Sequence, residues 1–424
     1  MSHRVLRSRW LRWVSISLIG AASAAAMAMD DPPGRVGRVA DIQGRAWLME
    51  GGQGEWVDQV RNRPLTSGDR LATDQDGRMD VQIGSTALQL GAGSEVQVLR
   101  LDDDRIELML ISGSLGVRAR EPEVANEIEV RTGEYRLMPR AAGRYRVDQG
   151  SRGTQAMALS GELQFQSPDA SLSLRAGQRA EFWHDPADGR THYTWVAAPS
   201  DGLTAWLQQP DWRPPQRYVS PEMTGAEELD RYGQWNQHPE YGAVWFPTTV
   251  VSGWAPYRHG RWAWVSPWGW TWVDDAPWGF APFHYGRWVF WSGRWGWVPG
   301  TYVRRPVYAP AMVAWVGQPG VNVRVGVGQV GWVPLAPREV YYPSYRYTPR
   351  YLETMNSPYH SGRAFPMQPP REPVMYSNRG VPGAVSVVSA QALQQRPGVG
   401  VVPQRADDRQ WGRDTGRGWQ AVVP

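Results

Sequence analysis

The 424-residue chain contains no cysteine. That excludes disulfides, thiolate-ligated metals, a Cys nucleophile and attachment to lipid through a Cys. Lysine is absent too, so every basic residue is Arg. No HExxH or H-x3-H spacing links the seven His, and no G-x-S-x-G occurs. The glycines at Gly317-Gln318-Pro319-Gly320 lack the Lys and Ser/Thr of a phosphate loop. Beyond the N-terminus no apolar run reaches the roughly 20 residues of a membrane span. Phe is scarce, 7 residues against 25 Trp, so in this chain indole replaces benzene as the large apolar group.

The N-terminus carries Arg4, Arg7, Arg9 and Arg12, then a short apolar run from Trp13 to about Met29 that holds Ala26-Met27-Ala28. A basic start, an apolar middle and an A-x-A end make a secretory signal peptide over residues 1–28. Cleavage after Ala28, and a periplasmic or secreted mature protein, are expected. Removing four Arg leaves 41 acidic residues balanced by as many Arg, so the high pI is no argument for nucleic acid binding. No membrane span is expected in the mature chain.

Residues 36–184 alternate apolar and polar side chains in short runs: Met79, Val81, Ile83; Ile106, Leu108, Leu110; Leu172, Leu174. Pairs such as Val96/Val98, Leu115/Val117, Tyr145/Val147 and Leu163/Phe165 repeat the pattern. Period two places one face of a strand in a core and the other in water. Turn signals separate the runs at Asp76-Gly77, Gly84-Ser85, Ser112-Gly113, Ser160-Gly161 and Ala176-Gly177. A connector spans 185–240 and holds Asp211-Trp212-Arg213-Pro214-Pro215. Thr224-Gly225-Ala226-Glu227 fits a capping box and predicts a short helix.

Residues 241–340 carry a duplication. Gly253-Trp254-Ala255-Pro256-Tyr257-Arg258-His259-Gly260-Arg261-Trp262 returns 26 residues later as Gly279-Phe280-Ala281-Pro282-Phe283-His284-Tyr285-Gly286-Arg287-Trp288. Each copy then reaches a Trp-Gly-Trp, at 268–270 and 295–297. Each unit reads as a β-hairpin turning at Ser266-Pro267 or Ser292-Gly293. Twelve Trp lie between Trp245 and Trp297, in a segment poor in Leu and Ile, so most must form its core. Trp262, Trp264, Trp270, Trp288, Trp297 and Phe290 are assigned there. Trp278, in the loop between units, and Trp291, alternating away from Trp288, are the candidate ligand-binding residues, with His284 beside them. From 341 to 424 Pro, Tyr, Arg and Gly dominate without period, with ten Arg against five acids, which predicts a disordered tail.

Residues 36–182 resemble the FecR domain family. The likeness lies in Leu65-Thr66-Ser67-Gly68-Asp69-Arg70-Leu71-Ala72-Thr73, Gly77-Arg78-Met79-Asp80-Val81, Gly84-Ser85-Thr86-Ala87-Leu88, Ser94-Glu95-Val96 and Leu174-Arg175-Ala176-Gly177-Gln178. The resemblance implies a periplasmic, solenoid-like β-domain that works by binding other protein domains. In its best-known members it relays a signal from an outer-membrane transporter to a sigma factor. Those regulators carry a cytoplasmic segment and a transmembrane helix before the domain, where this sequence has a signal-like segment, so that relay is not expected. The family's late Gly-Thr is replaced by Ala142-Gly143 before Tyr145-Arg146-Val147. The chain beyond 241, including Gly331-Trp332-Val333-Pro334, resembles the Trp- and Pro-rich extension of exported FecR-domain proteins of unknown function.

The sequence therefore predicts an all-β protein: a FecR-like solenoid or roll, Trp-rich hairpin repeats and a soft tail. No enzyme, cofactor or metal site is expected; Asp102-Asp103-Asp104 reads as a solvated turn rather than a calcium loop. Two functions fit: binding or scaffolding other envelope proteins, or binding envelope glycan through exposed aromatic faces. Burial of the repeat aromatics decides between them.

Overall fold

The computed structural model describes residues 31–52, 54–209, 218–317, 328–370 and 374–393, with the backbone at 404–405 and 420–421. The expected signal peptide, the 211–215 prolines, Gln318–Gly320 and most of the tail past 393 lie outside the described residues. The protein is all-β, built from open sheets.

The first 17 strands form two sheets face to face around an aliphatic core of Val, Leu and Ile. The alternating residues read from sequence point into it: Met79, Val81, Ile83, Ile106, Leu108, Leu110, Tyr145, Val147, Leu163 and Phe165 are all buried. One strand, Ile106–Ala119, belongs to both sheets. Its first half pairs with Glu95–Leu101 and runs parallel to Ile128–Thr132. Its second half pairs with Thr86–Leu90 and Gly143–Gly150. The crossing point is Gly113, with φ of 85°. A Cβ there would sit 2.5 Å from the Ser94 backbone, so only glycine fits. Ser112-Gly113, expected to turn, instead bends one long strand from sheet to sheet. The first sheet ends on Arg190–Trp195, so the sandwich outruns the expected boundary at 184.

Among the described residues, four Trp-paired hairpins follow. Hairpin 1 is Gly233–His238 with Gly242–Pro247, and hairpin 2 is Gly260–Val265 with Gly269–Asp274. Hairpin 3 is Arg287–Trp291 with Arg294–Val298, and hairpin 4 is Val313–Gly317 with Gln329–Pro334. Hairpins 1 and 3 join edge to edge where Trp245 opposes Trp297. Hairpin 4 is flanked by Ser386–Ser389 and by the backbone of Gln420–Ala421.

The connector and the proximal tail complete this second core. Val219, Met223 and Leu229 from one side, and Tyr341, Tyr351, Met355, Tyr376 and Val387 from the other, pack among the indoles. Composition alone placed 341–393 with the tail. The described part of it is instead ordered by Tyr side chains, whose burial compensates for the missing aliphatics. The predicted helix forms at Leu229–Tyr232 after a 3-10 turn at Ala226–Glu228, without the predicted cap. Thr224 Oγ1 accepts from Gly84 N and donates to Val36 O, tying the connector to the sandwich.

That tie is one of several. Arg38, fully buried in the sandwich, donates to Gln82 Oε1 at 2.9 Å, Asn62 Oδ1 at 3.0 Å, Pro277 O at 3.3 Å and Glu228 Oε1 at 3.2 Å. Asn62 Nδ2 donates to Asp274 O and Ala276 O. A guanidinium taken out of water is tolerated only when its N–H groups are paired in this way. Residues Asp31–Pro424 form one compact unit.

Candidate functional site

A shared local device builds the hairpins. Trp235 opposes Trp245, Trp262 opposes Trp272, Trp288 opposes Trp297 and Trp315 opposes Trp332. In the first three a glycine lies under the second indole. A Cβ on Gly233, Gly260 or Gly286 would fall 2.2, 2.8 or 2.1 Å from the ring of Trp245, Trp272 or Trp297. The glycine thus lets an indole lie flat on the neighbouring strand. Each ring N–H is then satisfied: Trp245 by Leu229 O, Trp272 by Asp274 Oδ2, Trp297 by Tyr285 O. Hairpin 1 is a further copy of the repeat that the sequence reading missed. Its signal was the Gly-x-Trp of Gly233-Gln234-Trp235, with Trp245 twelve residues after the glycine, the spacing of Gly260 and Trp272.

The assigned core residues divide. Trp262, Trp270, Trp288 and Trp297 are buried as expected. Trp264 is only partly buried, edge-on to Trp270 beside the 266–268 turn. Phe290 is a correction: it is 40% exposed. It does share a face with Trp288, but Ser292 (φ 52°) and Gly293 (φ 76°) form a tight two-residue turn that carries the hairpin tip past the core.

The three candidate ligand residues are not brought together on a surface. Trp278 is 1% exposed, stacked on Phe283 and edge-on to Trp245 and Trp254. His284 is fully buried, with Nδ1 against Ala309 O at 2.8 Å, and burial drives its pKa down to about 3. Both are corrections, because a segment this short of aliphatics draws its loop aromatics inward as well. Trp291 alone remains accessible in part, edge-on to His238 and packed on Phe246, on the face away from Trp288.

The ionisable groups inside the hairpin region serve its packing. Asp274 is buried, accepting from Trp272 Nε1 and Ala276 N, and burial raises its pKa to about 8. Arg287 is buried beneath Tyr359 and donates to Glu339 O, Gly286 O and Asn356 Oδ1. Burial pushes Arg287 down to about 10. In the sandwich, Asp69 of the Leu65–Thr73 run accepts from Gly51 N and Thr66 N, so its part is to hold a turn. Asp102 likewise accepts from Asp104 N and Arg105 N. Asp185, Asp188 and His192 bring ligand atoms within 4.8 Å of one another at an exposed hairpin turn. The 2.8 Å pairing of His192 with Asp188 accounts for that arrangement without a metal.

What the hairpins do present is a groove of about 370 Å³ beside the tip of hairpin 3. Phe246, Val250, Val251, Trp254, Phe290 and Trp295 give it apolar walls. Val250, Val251 and Phe290 are 39%, 66% and 40% exposed. Arg294 is the one charged side chain in the lining and lies over the Phe246 ring at 4.5 Å. The strand Arg287–Trp291 borders the groove and is an edge of its sheet. Its outward main-chain groups at Trp288 are taken by Leu335 O and Asn378 Nδ2. Among the described residues, no strand pairs with it past that point, at Phe290. Val250 and Val251 stand in a polar loop with no periodicity, so no pattern of residues marks them.

A family of unknown function, DUF6600, has a model that matches residues 226–339, the span from the short helix through hairpin 4. Two crystal structures of a "putative anti-sigma factor" from Parabacteroides distasonis, at 2.50 and 1.65 Å, resemble part of the chain. Each has a TM-score of 0.27 and 16% sequence identity, covering 33% of this chain and 64% of that one. The chain thus spans under two thirds of that protein's length. Among curated proteins nothing matches.

Proposed function

We propose that this is a non-enzymatic exported envelope protein that binds another envelope protein. Its FecR-like sandwich and Trp-rich hairpins lie in one compact unit, and the groove beside hairpin 3 receives an extended apolar segment of the partner. The carrying observation is the groove itself: among the described residues it has apolar walls, an adjacent sheet edge open at Phe290, and a single cation, Arg294. An open edge offers main-chain hydrogen bonds to an extended chain, and the neighbouring pocket offers a place for its side chains. Arg294 with no acid in the lining favours a segment that carries a carboxylate at the rim. A glycan-binding groove instead requires amides or carboxylates for sugar hydroxyls beside an open aromatic face. This lining has neither amide nor carboxylate, and two of the three aromatics first nominated for glycan are in the core.

The test is cross-linking in intact cells with a photoreactive amino acid in place of Val251. Tyr302, 62% exposed and outside the groove, serves as the control position. The expected result is a discrete protein adduct from position 251 and none from 302. Equal yields from both positions would overturn the reading, and an adduct that is carbohydrate would replace it with the glycan alternative.

A further inference from the structure

Hairpins 2 and 3 each carry an Arg directly before their first Trp: Arg261 opposite Val273, and Arg287 opposite Val298. Two residues past that Val the copies part. Hairpin 2 has Asp275, whose Oδ1 lies 3.6 Å from Arg261 Nη1. Hairpin 3 has Gly300. Its φ is 84°, and a Cβ there would fall 2.7 Å from the Tyr359 ring, so the carboxylate of the repeat cannot stand at this position.

Arg287 is therefore a fully buried cation without an anion. Its partners are Glu339 O, Gly286 O, Asn356 Oδ1 and Met312 Sδ, all neutral, with the Tyr359 ring at 4.1 Å. The Glu339 carboxylate is spent instead on Ala336 N and Ser377 N. Neutral acceptors satisfy the N–H groups but leave the charge uncompensated. In an interior of low dielectric that charge reaches further than it would in water.

A cavity of about 100 Å³ opens beside it at the base of hairpin 3, the end away from the Phe290 groove. Gly300, Tyr359, Arg338, Glu240 and Ser361 stand in its wall with Arg287. Arg338 and Ser361 have φ of 70° and 49°, so two left-handed non-glycine residues meet at one small cavity. Backbone of this kind gathers where ligands are clamped. Arg338 reaches Glu240 at 2.7 Å, but both side chains are more than a third exposed, so that pair is weak and exchangeable. We propose that this cavity binds a carboxylate on a short stem, held where Asp275 stands in hairpin 2. Arg338 contacts it directly, and Arg287, covered by Tyr359, attracts it through space. Two guanidiniums against Glu240 leave one positive charge, which a carboxylate matches and a phosphate dianion exceeds. A small free acid and the C-terminus of a peptide share this chemistry.

Propionate is the probe, added to the full chain at an ionic strength held constant with chloride. The unfolding midpoint should rise with propionate and saturate. Arg338→Gly removes the guanidinium while keeping the left-handed backbone, and should raise the propionate Kd at least about tenfold. Ser361→Asp, at an exposed position and with a side chain that tolerates the left-handed region, supplies a carboxylate from the wall itself. It should abolish the propionate response, and circular dichroism verifies that it is folded. Trialanine with a free or an amidated C-terminus separates the two sources. A response to the free form as well as to propionate marks a peptide end as ligand, and a response to propionate alone marks a small acid. No saturable propionate response beyond that of chloride, one that survives in folded Ser361→Asp, or an equal response to amidated trialanine would overturn the inference. Each of these outcomes leaves the groove reading untouched.

Discussion

Trp272→Ala should cost the protein about 3–5 kcal/mol of stability, the range for emptying a buried aromatic site. Trp272 is fully buried and lies against Tyr257, Trp262, Phe283 and Trp332. It covers Gly260, and its ring N–H supplies one of the two hydrogen bonds to the buried Asp274 side chain. The substitution thus opens a cavity and strips a polar group of a partner, two costs that add. The indole core is continuous from Val36 to Leu393, so the loss should register across the hairpin region. Thermal or urea unfolding followed by tryptophan fluorescence measures it. Trp264→Ala is the internal comparison. That ring is partly exposed, so less surface leaves water with it, and about 1–2 kcal/mol is expected. Equal losses at the two positions would mean that the hairpin faces are misassigned.

The second large effect is on pH dependence. Asp274 has its carboxyl raised by burial from 3.8 to about 8. As pH climbs from about 4 to 8 the unfolded chain releases this proton while the folded one keeps it, so stability falls over that window. His284 works in the other direction: lowered by burial from 6.5 to about 3, it makes stability rise with pH between those values. The two slopes offset each other between about pH 4 and 6.5. From pH 6.5 to 8 only Asp274 of these two still acts, and at about 1.4 kcal/mol per unit it removes roughly 2 kcal/mol. Asp274→Asn keeps a neutral, hydrogen-bonding side chain of the same shape and should flatten that alkaline decline. Urea midpoints for both proteins at pH 6.5, 7.25 and 8 read it out. A decline of equal slope in the Asn variant would assign the effect to another group.

The sandwich was legible because its signal is local and periodic. Met79-x-Val81-x-Ile83 states which face is inside before any partner strand is known. Gly113 shows the limit of such reading: the same glycine can end a strand or bend one, and the close approach of Ser94 decides which. In the hairpins the period was visible and the depth was not. Trp288 and Phe290 share a face, yet one is fully buried and the other 40% exposed. Trp288 is covered by Trp254 and Phe283 from other segments, and that is a non-local fact. Trp278 and His284 were placed in loops by the repeat, and loops are usually at the surface. In a region where indoles stand in for Leu and Ile, loop aromatics are core material too. The groove had no signature at all, since an exposed Val pair is defined by neighbours that are absent.

The central claim is that the tryptophans hold the fold while the groove beside hairpin 3 does the binding. Phe290→Asp tests it most directly, with two readings on the same protein: the unfolding midpoint and the yield of the cross-link from position 251. Phe290 is exposed at a hairpin tip, so the midpoint should move by no more than about 2 °C. The added carboxylate in the apolar wall should cut the adduct by about tenfold or more, the effect of losing about 1.4 kcal/mol of binding. An undiminished adduct on a fully folded Phe290→Asp protein would contradict the account.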